Sequence, residues 1–282
     1  MRIVNFQSHE GPRIGVRVGR EVAPCSSFHD LTTVLAGGRD RLEMIRTEPN
    51  GGTPPLNIAD VRLLPPILKP GKIICLGLNY TDHAKEMGRP PPDYPAVFLR
   101  SSSSLIAHGA PVIRPRNSEQ LDYEGELVAF VGSRVKHVCE QNALNCIAGY
   151  SIFNDVSIRD YQLRTRHVTL GKNFDATGAF GPEFVSADEL PPGASGLNIQ
   201  TRLNGCVMQD ANTRDMIFGV AKALALLSTC MTLEPGDLLV MGTPSGVGAA
   251  RQPQLWMKPG DECEVEIERI GILRNVIAAD EG

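Results

Sequence analysis

Leu121-Asp122-Tyr123-Glu124-Gly125-Glu126-Leu127-Val128-Ala129-Phe130-Val131 reads as a strand over Asp122–Val131. Side chains two apart share a strand face. Glu124 and Glu126 therefore point the same way, followed on that face by Val128 and Phe130. The other face carries Tyr123, Leu127, Ala129 and Val131. Two carboxylates heading a strand that is apolar on both faces sit close to a core. There they repel each other unless a proton or cation intervenes, and a hard divalent ion is the economical solution. An acidic strand end beside solvent explains the same letters equally well.

Working outward, Asp155 closes a second strand that begins at Gly149 and precedes a helix expected over Val156–Leu163. It is either a third oxygen ligand or that helix's cap. Three carboxylates suit Mg²⁺ or Mn²⁺ and not zinc, whose usual His and Cys ligands are not clustered here. Arg159 and Gln162 follow Asp155 at i+4 and i+7. Arg159 can grip a substrate carboxylate with two prongs, or pair structurally with Asp160 or Glu126. Upstream, Lys72–Leu76 reads as a strand running into Gly77-Leu78-Asn79-Tyr80 and a short helix, Asp82–Met87, capped by Thr81 or Asp82. His83 and Glu86 are helical neighbours at i and i+3. They form a base and its orienter, or a chance pair on an exposed helix.

Gly171-Lys172-Asn173-Phe174-Asp175 lacks the P-loop pattern and reads as a positioned cation, Lys172, beside the metal site. Gly242-Thr243-Pro244-Ser245-Gly246-Val247-Gly248 follows a strand and offers Thr243 to a substrate oxygen, or is simply a tight loop. It is not a serine-hydrolase elbow. Cys139–Ala148 reads as helical, and the best helix starts at Asn212 or Thr213, with Ile217, Val220, Ala221, Leu224, Leu227 and Met231 on one face. Pro259-Gly260-Asp261 turns into the strand Glu262–Ile267, whose residues alternate acidic and apolar. Glu48–Pro55 reads as loop. Leu163–Thr169 is basic and selects a second carboxylate or a polar tail, or is solvated charge, the reading preferred here.

The 282 residues carry 28 Lys+Arg and 32 Asp+Glu, a net charge of −4, which argues against sequence-independent nucleic-acid binding. No apolar run is long enough for a membrane helix, and Met1–Asn5 opens no secretory signal. Seven cysteines without a Cys-x-x-Cys read as reduced and cytoplasmic. The 28 glycines and 21 prolines favour a strand-and-loop fold over a helical bundle. A change of character near Gly71 divides the chain into a small N-terminal domain, residues 1–68, and a larger one, residues 69–282.

Taken in order, Gly77-Leu78-Asn79-Tyr80 with His83 and Glu86, Asp122–Glu126, Asn154–Gln162, Gly171–Asp175 and Gly242–Gly248 resemble the fumarylacetoacetate hydrolase family over about residues 70 to 275. The resemblance implies an α+β, mostly β fold: a rolled mixed β-sandwich carrying a small N-terminal domain, usually a homodimer. It implies Mg²⁺ or Mn²⁺ (Ca²⁺ as a stand-in in crystals) on Glu124, Glu126 and Asp155. His83 with Glu86 would activate water. Tyr80, Arg159, Gln162 and Thr243 would bind substrate, and Lys172 would help polarise it. The implied substrate is a small 2-oxo or diketo acid, with no nucleic-acid or membrane partner. The first expectation is hydrolysis of a C–C bond in an acylpyruvate, such as a fumarylpyruvate-like compound or a 2,4-diketo sugar acid, in aromatic or sugar-acid catabolism. It proceeds through a metal-stabilised enolate. The alternative is an oxaloacetate-type decarboxylase or a 2-hydroxydienoate isomerase using the same enolate. A non-catalytic metal-binding protein ranks last.

Overall fold

In the computed structural model, residues 1–47 and 54–281 are described; the expected loop at Glu48–Pro55 falls mostly outside them. The architecture is α+β and mostly β, built from one twelve-stranded mixed sheet, a five-stranded sheet and a two-stranded ribbon. At the centre of the large sheet, Gly125–Val131 lies between Ile147–Asp155 and Leu238–Val240. Leu238–Val240 runs parallel to Ile73–Gly77. On the other side, Ile147–Asp155 pairs with Gly178–Ser186, which pairs in turn with the chain's first strand, Arg2–Ser8. The N-terminal hairpin of Arg2–Ser8 and Gly11–Val18 thus extends the same sheet.

The central strand shows why the alternation matters. Leu127, Ala129 and Val131 enter one core, with Ile199, Val265, Leu273 and Ile277 of the five-stranded sheet and Leu224 of the longest apolar helix, Val220–Cys230. Val128 and Phe130 enter a second core, with Phe153, Phe180, Phe184, Ile14, Leu31 and Leu35. Phe130 meets Phe184 edge-on at 5.1 Å between ring centres, a favourable aromatic geometry. A strand buried on both sides calls for a continuous apolar run, and Leu127–Val131 supplies it.

Several local expectations are corrected by pairing between distant segments. The strand expected over Asp122–Val131 is broken: Leu121–Asp122 pairs with Ser157–Ile158, and regular structure resumes at Gly125. The helix expected over Val156–Leu163 shrinks to Arg159–Gln162, because Ser157 and Ile158 are held in that ribbon. Cys139–Ala148 holds only one helical turn, Glu140–Ala143, and a 3₁₀ turn before Ile147 joins the sheet. The helix expected from Asn212 begins at Val220. Asn212 instead ends the strand Cys206–Asn212, the second arm of a hairpin with Asn198–Leu203. Asn204-Gly205 turns that hairpin with both residues at positive φ (51° and 77°), the conformation a tight two-residue turn requires. Glu262–Ile267 is a strand as expected, and Arg202 and Arg274 balance its acidic face through Glu264.

Candidate active site

The first strand-end acids converge through sheet register. Gly125 pairs with Asn154, and the amide of Asp155 donates to the carbonyl of Glu124 at 2.8 Å. That places Asp155 beside the Glu124–Glu126 face. One carboxylate oxygen from each of Glu124, Glu126 and Asp155 lies within 4.8 Å of the other two, and all three residues are buried. Asp155 ends a strand and caps no helix, since the N-cap of Arg159–Gln162 is Ile158.

Three buried cations surround these acids. The Lys172 ammonium donates to Glu124 Oε2 at 2.6 Å, to Asp155 Oδ2 at 2.7 Å and to the Asp155 carbonyl at 3.0 Å. Burial works to discharge it, but Asp155 and Glu124 hold its pKa above the ordinary lysine value. Arg159 Nε donates to Asp122 Oδ2 at 2.8 Å, and Nη1 donates to Gln162 Oε1 at 2.8 Å. Its Nη2 stands 2.7 Å from Glu124 Oε1, with its N–H bonds out of line for a hydrogen bond. Arg159 therefore pairs with Asp122 and Glu124, not with Asp160 or Glu126. The third cation, Arg100, escaped the sequence reading. It is fully buried and donates to Asp155 Oδ1, to the Val156 carbonyl (3.2 Å) and to Thr177 Oγ1 (2.9 Å). The available sequence signal was an arginine closing the apolar strand Ala96–Arg100.

The charges do not close. Four buried acids (Asp122, Glu124, Glu126, Asp155) face three cations (Arg100, Arg159, Lys172), leaving one negative charge in excess. Burial opposes ionisation of Glu124, but Lys172 and Arg159 overcome it and lower its pKa to about 2. Glu126 lacks a cationic partner among the described residues and accepts only the Gly242 amide, at 2.5 Å. Burial first, then Asp155 and Glu124, push its pKa well above the usual carboxylate range. Buried hard oxygens with surplus negative charge fit a divalent cation.

His83 sits on the helix Thr81–Glu86, whose N-cap is Tyr80 rather than Thr81 or Asp82. The His83 Nδ1 to Glu86 Oε1 distance is 2.8 Å. A carboxylate can only accept, so Nδ1 carries the hydrogen, which in the neutral form of the ring leaves the lone pair on Nε2. Glu86 is fixed in turn by the Gly246 amide, which donates to Oε2 at 2.9 Å and Oε1 at 3.1 Å. Gly246 has φ +104°, and a Cβ there would stand 2.2 Å from the Met208 carbonyl oxygen, so only glycine fits. The Gly242–Gly248 loop thereby orients the base. Gln209, also absent from the sequence reading, pins that loop to the strand. It accepts the Gly125 amide at 3.0 Å and donates to Thr243 Oγ1 and the Pro244 carbonyl at 2.8 Å each.

A cavity of about 990 Å³ opens over this floor, and its walls include His83, Glu124, Glu126, Arg159, Gln162, Lys172 and Thr243. Tyr80 is not among them: it is buried at the N-cap of the helix, where burial and Glu126 raise the pKa of a hydroxyl that has no hydrogen-bond partner among the described residues. Thr243 donates its own hydrogen to the Gly125 carbonyl at 3.0 Å.

Residues 72–278 match the family model described as fumarylacetoacetate (FAA) hydrolase C-terminal. The chain belongs to the fumarylacetoacetate hydrolase family. It is 34% identical to the human protein named oxaloacetate tautomerase FAHD2A, mitochondrial, across 98% of this chain and 91% of that one. Among solved structures, it is similar to a fumarylacetoacetate hydrolase from Exiguobacterium antarcticum (TM-score 0.87, 34% identity, 99% and 100% of the two chains). It is also similar to a 2-hydroxyhepta-2,4-diene-1,7-dioate isomerase from Mycobacterium marinum (TM-score 0.81, 30% identity, 100% of both chains). Enzymes of the family commonly use divalent metals, and the buried Glu124–Glu126–Asp155 cluster can bind one. No helix among the described residues is long and apolar enough to cross a membrane.

Proposed function

We propose that this family member moves a proton at the carbon beside the ketone of a 2-oxo acid, interconverting keto and enol or double-bond isomers. The observation that carries the reading is His83, tied through Nδ1 to Glu86, on the wall of the cavity that Glu124 and Glu126 also line. Glu124, Glu126 and Asp155 would hold Mg²⁺ or Mn²⁺. When bound, that ion supplies fixed positive charge for paired substrate oxygens and eases the build-up of negative charge on the ketone.

The side chains divide the remaining work. Arg159, held by Asp122 and Gln162, supplies fixed positive charge for the substrate carboxylate from the cavity wall. His83 Nε2 accepts the proton leaving carbon, and the C–H electron pair moves into the new C=C bond as the ketone oxygen takes up negative charge. The same nitrogen returns the proton to oxygen or to a more distant carbon. Lys172 has all three N–H bonds engaged by Glu124 and Asp155, so it acts on the substrate as fixed charge. Tyr80 and Thr243 take supporting positions in this scheme. The 34% identity to a protein named oxaloacetate tautomerase over nearly the whole chain supports oxaloacetate as a first substrate.

Hydrolysis of an acylpyruvate is the second reading, because the same His83–Glu86 pair can take its proton from water. Its support is the similarity to a protein named fumarylacetoacetate hydrolase. One experiment separates the readings: incubate the protein with Mg²⁺ and, separately, enol-oxaloacetate, a 2-hydroxydienoate and an acylpyruvate. Following enol absorbance, pyruvate release and carbon dioxide distinguishes isomerase, hydrolase and decarboxylase. A His83→Ala variant with unchanged turnover on every substrate rules out the assigned base.

Three further assignments accompany the reading. A homodimer is the proposed assembly, and the cytoplasm the proposed setting, supported by cysteines that form no disulfide among the described residues. A domain boundary near residue 68 is supported by the family match beginning at residue 72.

A further inference from the structure

The proposed base hangs from a glycine. Glu86, which orients His83, is itself held by the Gly246 amide. Glycine has the widest backbone freedom of any residue, and Gly246 sits at φ +104°. An amide on such a residue keeps one direction only where its surroundings restrain it.

The restraint acts on the Gly246 carbonyl. The Tyr123 hydroxyl donates to that oxygen at 3.0 Å. Arg251 Nε shares its hydrogen between the same carbonyl (3.2 Å) and the Tyr123 oxygen (3.1 Å). Arg251 Nη2 donates to the Met208 carbonyl at 2.6 Å, the oxygen that a Cβ on Gly246 would meet at 2.2 Å. The guanidinium thus ties the loop to the strand Cys206–Asn212 where the two backbones crowd together. Arg251 is half-buried, and it forms no ion pair among the described residues; its contacts are neutral oxygens. Desolvating a guanidinium without a carboxylate is unfavourable, so charge pairing does not account for its position. Tyr123 is fully buried. Neither residue is among the described residues that wall the cavity, so neither acts there as a substrate contact.

We infer that Arg251, together with Tyr123, is a positioning residue for the proton transfer. It fixes the Gly246 peptide, the Gly246 amide fixes Glu86, and Glu86 fixes the Nδ1-protonated form of His83. The kinetic consequence rests on the proposed function; the relay from Arg251 to the imidazole rests on the contacts. Without the guanidinium, Gly246 is free to turn and its amide no longer aims at Glu86. The imidazole can then carry its hydrogen on Nε2, where it cannot accept a proton from carbon.

The test compares the full chain with Arg251→Met and Arg251→Lys, each with Mg²⁺ and enol-oxaloacetate, well below the melting temperature. Arg251→Met is expected to lower kcat about tenfold and to leave KM within about twofold, because the cavity wall is untouched. Arg251→Lys keeps a charged donor and is expected to recover part of the loss. A purely structural role lowers the melting temperature but leaves kcat per folded molecule and the His83 tautomer as they were. The tautomer is read by NMR of protein labelled with ¹⁵N-histidine, at a pH where the ring is neutral, with the His83 signal assigned by its loss in His83→Gln. The unaltered protein is expected to show Nδ1–H, and Arg251→Met a shift toward Nε2–H. Unchanged kcat, an unchanged tautomer, or a loss confined to KM in Arg251→Met overturns the inference. Should that variant fail to fold, Tyr123→Phe removes a single hydroxyl and is expected to lower kcat about threefold; unaltered kcat and tautomer there overturn the inference equally. If the unaltered protein turns over no enol-oxaloacetate, 2-hydroxydienoate or acylpyruvate, the proposed function fails, while the tautomer comparison still decides the relay.

Discussion

Replacing Lys172 with methionine keeps the length of the side chain but removes the ammonium shared by Glu124 and Asp155. Lys172 is 1% exposed, so water cannot take over its role. Removing one partner of a buried ion pair costs about 3–5 kcal/mol. Arg159 still faces Glu124 and Arg100 still faces Asp155, which places the loss near the low end, about 3 kcal/mol. At about 2–4 °C per kcal/mol for a chain of this size class, the melting temperature should drop by roughly 6–12 °C. The assay is thermal unfolding followed by circular dichroism, first with a chelator and then with millimolar magnesium. Removing a positive charge beside the three carboxylates should make magnesium bind more tightly. By linkage, magnesium should therefore raise the melting temperature of the variant more than that of the unaltered protein. If the variant melts within about 2 °C of the parent in chelator, the buried charges are balanced without Lys172. Equal stabilisation of both proteins by magnesium would show that the ammonium and the cation site are independent.

Other consequences can be checked separately. Glu183→Gln should cost about 2 kcal/mol in urea unfolding, because Glu183 receives Arg2 Nη1 (2.5 Å), Arg17 Nε (2.5 Å) and Arg17 Nη2 (2.6 Å) and ties the N-terminal hairpin to the strand Gly178–Ser186. The estimate is modest because both arginines are about a quarter exposed (28% and 26%). Gly246→Ala should lose about 2–3 kcal/mol from backbone strain and a close contact. It should also lower kcat, since the Gly246 amide orients Glu86; normal kcat and melting temperature together would refute the loop's role. Burial pushes the Cys263 thiol up to about 12, even though a hydrogen bond from Asn154 acts the other way. Native alkylation near pH 8, read by peptide mass spectrometry, should modify exposed Cys139, Cys206 and Cys230 and spare Cys263.

Local spacing reached the parts of the site that depend on one element alone. Alternation along Glu124–Val131 put both glutamates on one face, and the i, i+3 spacing of His83 and Glu86 anticipated a contact now seen at 2.8 Å. Strand and helix geometry determine which way neighbouring side chains point, whatever surrounds them. Element lengths were less legible. Ser157–Ile158 lies in a stretch that reads as helical and Asn212 reads as a helix start, yet both pair as strand residues because other segments satisfy their backbones. Asn204-Gly205 was the available turn signal for the second case.

The sequence by itself determined the fold class, the family and the chemical types gathered at the site. Tertiary structure decided which of those groups meet. Asp155 reaches Glu124 because Gly125 pairs with Asn154 across the sheet. Arg159 finds Asp122 because the ribbon of Leu121–Asp122 and Ser157–Ile158 brings them together. Arg100 arrives from an otherwise apolar strand. Contacts between residues dozens of positions apart depend on the register of paired strands. A shift of one position would send each side chain to the opposite face, so only the assembled sheet selects the partners.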